Sequence, residues 1–131
     1  MFVLDSHCDT PSEIVRGRDM SLDNQTGHVD FPKISRSCVD GAFFALYIPA
    51  DLNEQEAMSC ALRQYEAVVA CVNDNPGKAA LVTSVNQALA NKASGIFSIF
   101  LGLENSSPIG TSIDRVTQIQ NGAVAFRHNR K

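Results

Sequence analysis

Short apolar runs alternate along this chain with longer stretches whose apolar residues recur at helical spacing. Met1-Phe2-Val3-Leu4 is the first run and reads as a buried strand. Gly41 to Ile48 is apolar at nearly every position until Pro49 stops it, Ala79 to Thr83 is a short third run, Ile96 to Leu101 a fourth, and Gly122 to Phe126 a fifth. Runs that are apolar throughout belong to strands covered on both faces, the condition of a parallel sheet. Between the runs the pattern predicts helices. Pro11 opens a short one over Ser12 to Arg18. Asn53, with Glu56 three residues on, predicts a capping box before Ala57, Ala61, Tyr65, Val68 and Val72, and Asn73-Asp74-Asn75-Pro76-Gly77 ends that helix. Ser84 caps another over Val85 to Lys92, closed by Ser94-Gly95, and a last helix is predicted over Ile113 to Gln120. Residues 19 to 28 read as a surface loop, and Val29 to Ile34 as the lead into the second strand.

Such alternation implies right-handed crossovers and an α/β fold with a parallel sheet. In these folds the working residues lie beyond the carboxyl ends of the strands. His7 with Asp9, Glu104, and His128 occupy such positions. His7 and Asp9 are two apart, so in an extended segment both point to one side. Zinc accepts both imidazole and carboxylate. Glu104 follows the fourth run beside Gly102 and adds a second carboxylate. One imidazole and two carboxylates around an ion with an open position suit metal-assisted hydrolysis. Each residue also has a plainer reading: a solvated turn for His7-Cys8-Asp9, an ordinary loop glutamate for Glu104. His28 is read as a loop histidine, with a third ligand as the alternative. Cys8, between the two ligand candidates, is read as a small residue turned toward the core.

Composition narrows the class. With 131 residues, 44% hydrophobic and 19% charged, the chain fits one globular unit. A net charge of −3, with no Lys/Arg cluster before the last few residues, gives no footprint for nucleic acid. No apolar run approaches a membrane span, and Asp5 interrupts the first run, so no signal peptide is expected. The four cysteines form no C-x-x-C pair. Cys60 and Cys71 share a predicted helix that sets them about 16 Å apart, too far for a disulfide. Free thiols and a cytoplasmic location are expected.

Four segments together resemble a known family. Asp5-Ser6-His7-Cys8-Asp9-Thr10-Pro11, His28-Val29-Asp30-Phe31-Pro32-Lys33-Ile34, Asp40 to Pro49, and Leu101-Gly102-Leu103-Glu104-Asn105 running on to Pro108-Ile109-Gly110 are similar to motifs of the membrane (renal) dipeptidases, peptidase family M19. They come in the family's order, and the resemblance covers residues 1 to about 122. It implies the N-terminal half of a (β/α)8 TIM-type barrel with parallel strands, residues 1–131 being the N-terminal portion of a metallo-dependent hydrolase barrel. It implies zinc-dependent hydrolysis of dipeptides, often with a D-residue at the C-terminal position. His7 and Asp9 match ligands of the first of two zinc ions, and Glu104 the carboxylate that bridges both. His128 with Asn129 corresponds to a substrate-binding pair, although it follows Gly122 more closely than in the family. In the family the histidines of the second zinc and the proton-handling acid come from later strands. The expectation for these 131 residues is therefore at most one zinc, little or no activity alone, and self-association through uncovered sheet. The Phe43-Phe44 and Ile96-Phe97 strands are expected to be the exposed ones. Two other readings stand beside this one: a non-catalytic metal-binding or interaction module derived from a dipeptidase, and another metal-dependent amidohydrolase. The usual His-x-His opening of the latter is replaced here by Asp9.

Overall fold

The apolar runs pair as parallel strands. The computed structural model describes residues 1–120. Its elements are β1 (Leu4–Cys8), α1 (Thr10–Val15), α2 (Phe31–Ser35), β2 (Gly41–Leu46), α3 (Glu54–Asp74), β3 (Ala79–Leu81), α4 (Val85–Ala93), β4 (Phe97–Leu103) and α5 (Ile113–Gln120). The sheet order is β1-β2-β4-β3, parallel throughout. β2 and β4 pair from Gly41↔Ser98 to Leu46↔Leu103. They approach closely because Gly41 has no side chain: a Cβ there would lie 2.8 Å from the Ser98 carbonyl oxygen. The fold is α/β, the N-terminal half of a (β/α)8 TIM-type barrel.

Alternation along the strands gives the sheet two different faces. Ala42, Phe44, Phe97 and Ile99 turn toward the helices and pack with Met20, Phe31 and Val68 in the main core. Ile48, Ala57 and Ala61 form a second core under the first turns of α3, with Leu103 against it. On the opposite face Phe43 and Phe100 stack with centroids 4.9 Å apart. Ala45 and Gly102 lie two residues further along the same face. The long helix starts as its sequence predicts. Asn53 accepts from the backbone N–H groups of Gln55 and Glu56, and Glu56 accepts from Asn53 N–H. Ser84 and Gln87 build the same box for α4.

Several boundaries differ from the sequence reading, each for an identifiable reason. The first strand is Leu4–Cys8 rather than Met1 to Leu4. Val3 is tied instead to Asp40: its N–H donates to Asp40 Oδ2 (2.7 Å) and its carbonyl accepts from Asp40 N–H (2.8 Å). β1 is an edge strand, so it tolerates the polar residues Asp5, Ser6 and His7. Val29 to Ile34 does not lead into a strand. Asp30 caps a short helix there, and Pro32 sits in its first turn. β4 runs two residues past Leu101, to Leu103, which puts Glu104 directly at its end. The sheet edges are β1 and β3, so the expectation that the Phe43-Phe44 and Ile96-Phe97 strands are the exposed ones is corrected: both are central among the described residues. The expected fifth strand, Gly122 to Phe126, lies outside the described residues, as does His128.

Asp30 anchors the loop between α1 and α2. It is completely buried and accepts from the backbone N–H of Lys33 (2.9 Å) and of Asn24 (3.1 Å), and it pairs with the Lys33 ammonium. Burial pushes its carboxyl up, but the hydrogen bonds from Lys33 and Asn24 outweigh it and bring the pKa from 3.8 down to about 2. A folded-state value below the unfolded one stabilises the fold above the unfolded pKa, and this is lost as pH falls through the folded value. Acid melts are therefore expected to show a loss of stability that begins below about pH 5 and continues toward pH 2. Asp30→Ala is expected to cost about 3 kcal/mol, since it leaves two N–H groups without their acceptor and takes the buried carboxylate from Lys33, whose ammonium keeps the Asn24 carbonyl and Asp23. It should also flatten that part of the pH profile. Thermal denaturation from pH 7 to 2 on both proteins measures both effects; an unchanged acid limb in the variant would show that Asp30 does not carry it.

Candidate metal centre

β1 ends at Cys8, and the chain turns at once into α1. Asp9 takes the position before the helix, and Pro11 lies in its first turn. The side chains alternate at this junction. Cys8 is buried and its thiol meets the Thr10 hydroxyl at 2.9 Å, while His7 and Asp9 are exposed on the other side. His7 Nε2 stands 3.2 Å from Asp9 Oδ1. The His7 backbone N–H donates to Asp5 Oδ1 (3.1 Å), which fixes the strand just before the cluster.

Glu104 reaches the same point from β4. Two strand spacings, about 9–10 Å, separate β1 from β4, and β2 runs between them. Even so, Glu104 Oε2 lies 3.9 Å from His7 Nε2. Ala45 and Gly102 are paired on the same face just before the strand end. A Cβ placed on Gly102 would meet nothing within 4 Å. One donor atom each from His7, Asp9 and Glu104 lies within 4.8 Å of the others. Among the described residues the ion pairs of Asp9 and Glu104 run to His7, with no Lys or Arg beside them.

These donors fit a divalent cation. Ligand bonds to zinc are about 2 Å, so two donors on one ion can stand no more than about 4 Å apart. The His7–Asp9 and His7–Glu104 separations of 3.2 and 3.9 Å fall inside that limit, and all three donors lie within 4.8 Å of one another, so a small inward movement of the two carboxylates would close the set around an ion. Two carboxylates held close with no Lys or Arg beside them among the described residues leave negative charge that a metal ion would neutralise.

The three candidates from distant parts of the sequence are thus brought together. His28 is not in the group; it is an exposed residue of the loop between α1 and α2. Sequence reasoning missed Asn105, which follows Glu104 and donates from Nδ2 to the Ile48 carbonyl at 2.9 Å. An Asn two residues before a Ser-Pro turn was the available signal.

The sequence matches the family model described as membrane dipeptidase (peptidase family M19) over residues 1–126. A search of curated proteins returns no match. Among solved structures, the fold is similar to the dipeptidase AC, a metallo peptidase of family M19, with a TM-score of 0.84 at 21% identity over 92% of this chain and 40% of that one. It is similar to a metallo peptidase from Rhodobacter sphaeroides liganded with a phosphinate mimic of the dipeptide L-Ala-D-Ala, with a TM-score of 0.84 at 20% identity, covering 92% and 43%. It also resembles the probable dipeptidase PvdM from Pseudomonas aeruginosa, with a TM-score of 0.80 at 20% identity, covering 90% and 32%. The chain spans less than half the length of each of these structures. With a family match over nearly its whole length and three convergent donors at the carboxyl end of its sheet, the chain belongs to peptidase family M19, the membrane dipeptidases.

Proposed function

We propose that His7, Asp9 and Glu104 bind zinc and that this metal centre serves the hydrolysis of dipeptides. The observation that carries the proposal is the convergence of one imidazole and two carboxylates across an intervening strand. The relative liganded with a mimic of L-Ala-D-Ala supports a dipeptide, including one with a D-residue at its C-terminal position, as the substrate class. When bound, zinc supplies Lewis acidity, polarising a peptide carbonyl and making water a nucleophile near neutral pH.

The residues of this chain supply the rest. His7 offers Nε2 to the ion as a neutral donor, and Asp9 and Glu104 lower the cost of holding a dication by bringing negative charge. The exposure of all three leaves the centre open to a substrate from the carboxyl side of the sheet. Further down the same face of the sheet, past Ala45 and Gly102, Phe43 and Phe100 stack on each other. Dipeptide hydrolysis also needs a group that passes a proton to the leaving amine. His7, Asp9 and Glu104 are committed to the ion, so zinc binding is expected to exceed catalysis in this chain.

Metal analysis after dialysis against zinc is expected to give one ion per chain. His7→Ala should weaken binding by more than about 100-fold, since even changes to groups behind a ligand cost 10–100-fold. Glu104→Gln should weaken it less, because the shape is kept and one negative charge is removed. Two ions per chain, or one ion indifferent to His7→Ala, would contradict this assignment.

Activity provides a separate check. A ninhydrin assay on Ala-Ala and Ala-D-Ala, in excess zinc, is expected to show turnover near background for the 131-residue chain. Robust hydrolysis abolished by His7→Ala would show that a proton-transfer group lies within this chain.

A further inference from the structure

We infer that Asn105 is the positioning residue for Glu104: its side-chain amide holds the end of β4 where the carboxylate can meet His7. The inference rests on the assignment of Glu104 as a metal ligand. Glu104 is the first residue past β4, beyond the last ladder pair, Leu46↔Leu103. Its own backbone anchor is weak, a single N–H donated to the Leu46 carbonyl at 3.4 Å. Ligand distances in metal sites, in contrast, lie within about 0.2 Å of their standard values. Something other than the sheet must fix this segment.

Asn105 does so from both ends of its amide. Nδ2 donates to the Ile48 carbonyl at 2.9 Å, across 57 residues of sequence, and Oδ1 accepts from Ser107 N–H at 3.0 Å. A carbonyl acceptor on one side and an N–H donor on the other leave only one orientation for the amide. The first bond ties the end of β4 to the segment that leaves β2; the second closes the turn that follows. Ile48 is fully buried in the second core, so the acceptor belongs to a packed segment. Further out, Arg115 Nη1 pairs with Glu54 Oε2 (3.1 Å) and reaches the carbonyls of Pro108 (3.4 Å) and Ile109 (3.3 Å). That clamp holds the far side of the loop to α3. Asn105 is the member of this set adjacent to the ligand, and its bond crosses from strand to strand. It touches neither ion nor substrate, and its effect passes through Glu104.

The test measures zinc affinity by titration calorimetry on the 131-residue chain, at a temperature where every variant is folded. Asn105→Ala removes both bonds and is expected to weaken zinc binding 10–100-fold, the usual cost of losing a group that orients a ligand. Asn105→Ser keeps an oxygen for Ser107 N–H and loses the reach to Ile48, so it should fall between the two. If Asn105→Ala does not fold, the serine variant alone decides the matter. Lys92→Ala serves as a control for general destabilisation: it breaks the Lys92–Asp40 pair, which ties the chain at the opposite end of the strands. It should lower the melting temperature and leave zinc affinity unchanged. The cobalt-substituted form should show an altered visible spectrum in Asn105→Ala and an unaltered one in Lys92→Ala. If the wild type binds zinc, His7→Ala does not, and both Asn105 variants bind as the wild type does, the metal assignment stands and the positioning role is overturned. If the wild type binds no zinc, the metal assignment itself fails and the role falls with it.

Discussion

The pairing of β2 with β4 is the constraint on which the candidate centre depends. Glu104 and His7 belong to strands that are not neighbours, and β2 is their common reference. A slip of one residue in a parallel ladder turns every side chain to the other face. Such a slip of β4 against β2 would send Glu104 toward the helices and bring Ile99 out of the core. The register is held because the same six pairs that align the strands also bury Phe44 and Ile99 on one face and stack Phe43 on Phe100 on the other. Packing energy and site geometry are fixed by a single set of contacts.

Much of this was legible in the sequence because strong local chemistry agrees with the tertiary outcome. The capping boxes at Asn53 and Ser84 fall where predicted, since satisfying the first N–H groups of a helix is a local matter. The apolar runs at Gly41 and Ile96 became central strands, as their lack of alternation requires. The errors fell where polar chemistry outweighs hydrophobicity. The first strand moved toward Asp5-Ser6-His7 because Asp40 captures the backbone of Val3 and the strand lies at an edge. Val29 to Ile34 became a helix because a buried aspartate, invisible to an apolar count, caps it. The convergence of His7, Asp9 and Glu104 was foreshadowed by their places after apolar runs, whereas Asn105 was missed: its partner is a backbone carbonyl, and sequence carries no mark of which carbonyl will be within reach.

The polar contacts divide by place. At the amino ends of the strands, Asp40 gathers Val3 N–H and the Lys92 ammonium, and that ammonium lies 5.9 Å from the Phe2 ring centroid. Asp40 is held below its ordinary range by these partners, Lys92 foremost. At the carboxyl ends the carboxylates of Asp9 and Glu104 have no such cation among the described residues. The same residue type is neutralised at one end of the sheet and left in excess at the other. That asymmetry separates structural from chemical use of charge within one small fold.

The inward turn of Cys8 bears on which ions this end of the sheet can attract. Its sulfur is the softest donor in the segment, placed between His7 and Asp9, and a thiolate there would invite copper(I) or other soft ions. Strand alternation instead buries it, and the Thr10 hydroxyl occupies its polar contact. What remains at the surface is one nitrogen and carboxylate oxygens, a donor set of intermediate to hard character. In the proposed metal centre the pleat of a single strand would thereby act as a filter on metal identity, set by which donor atoms it turns outward.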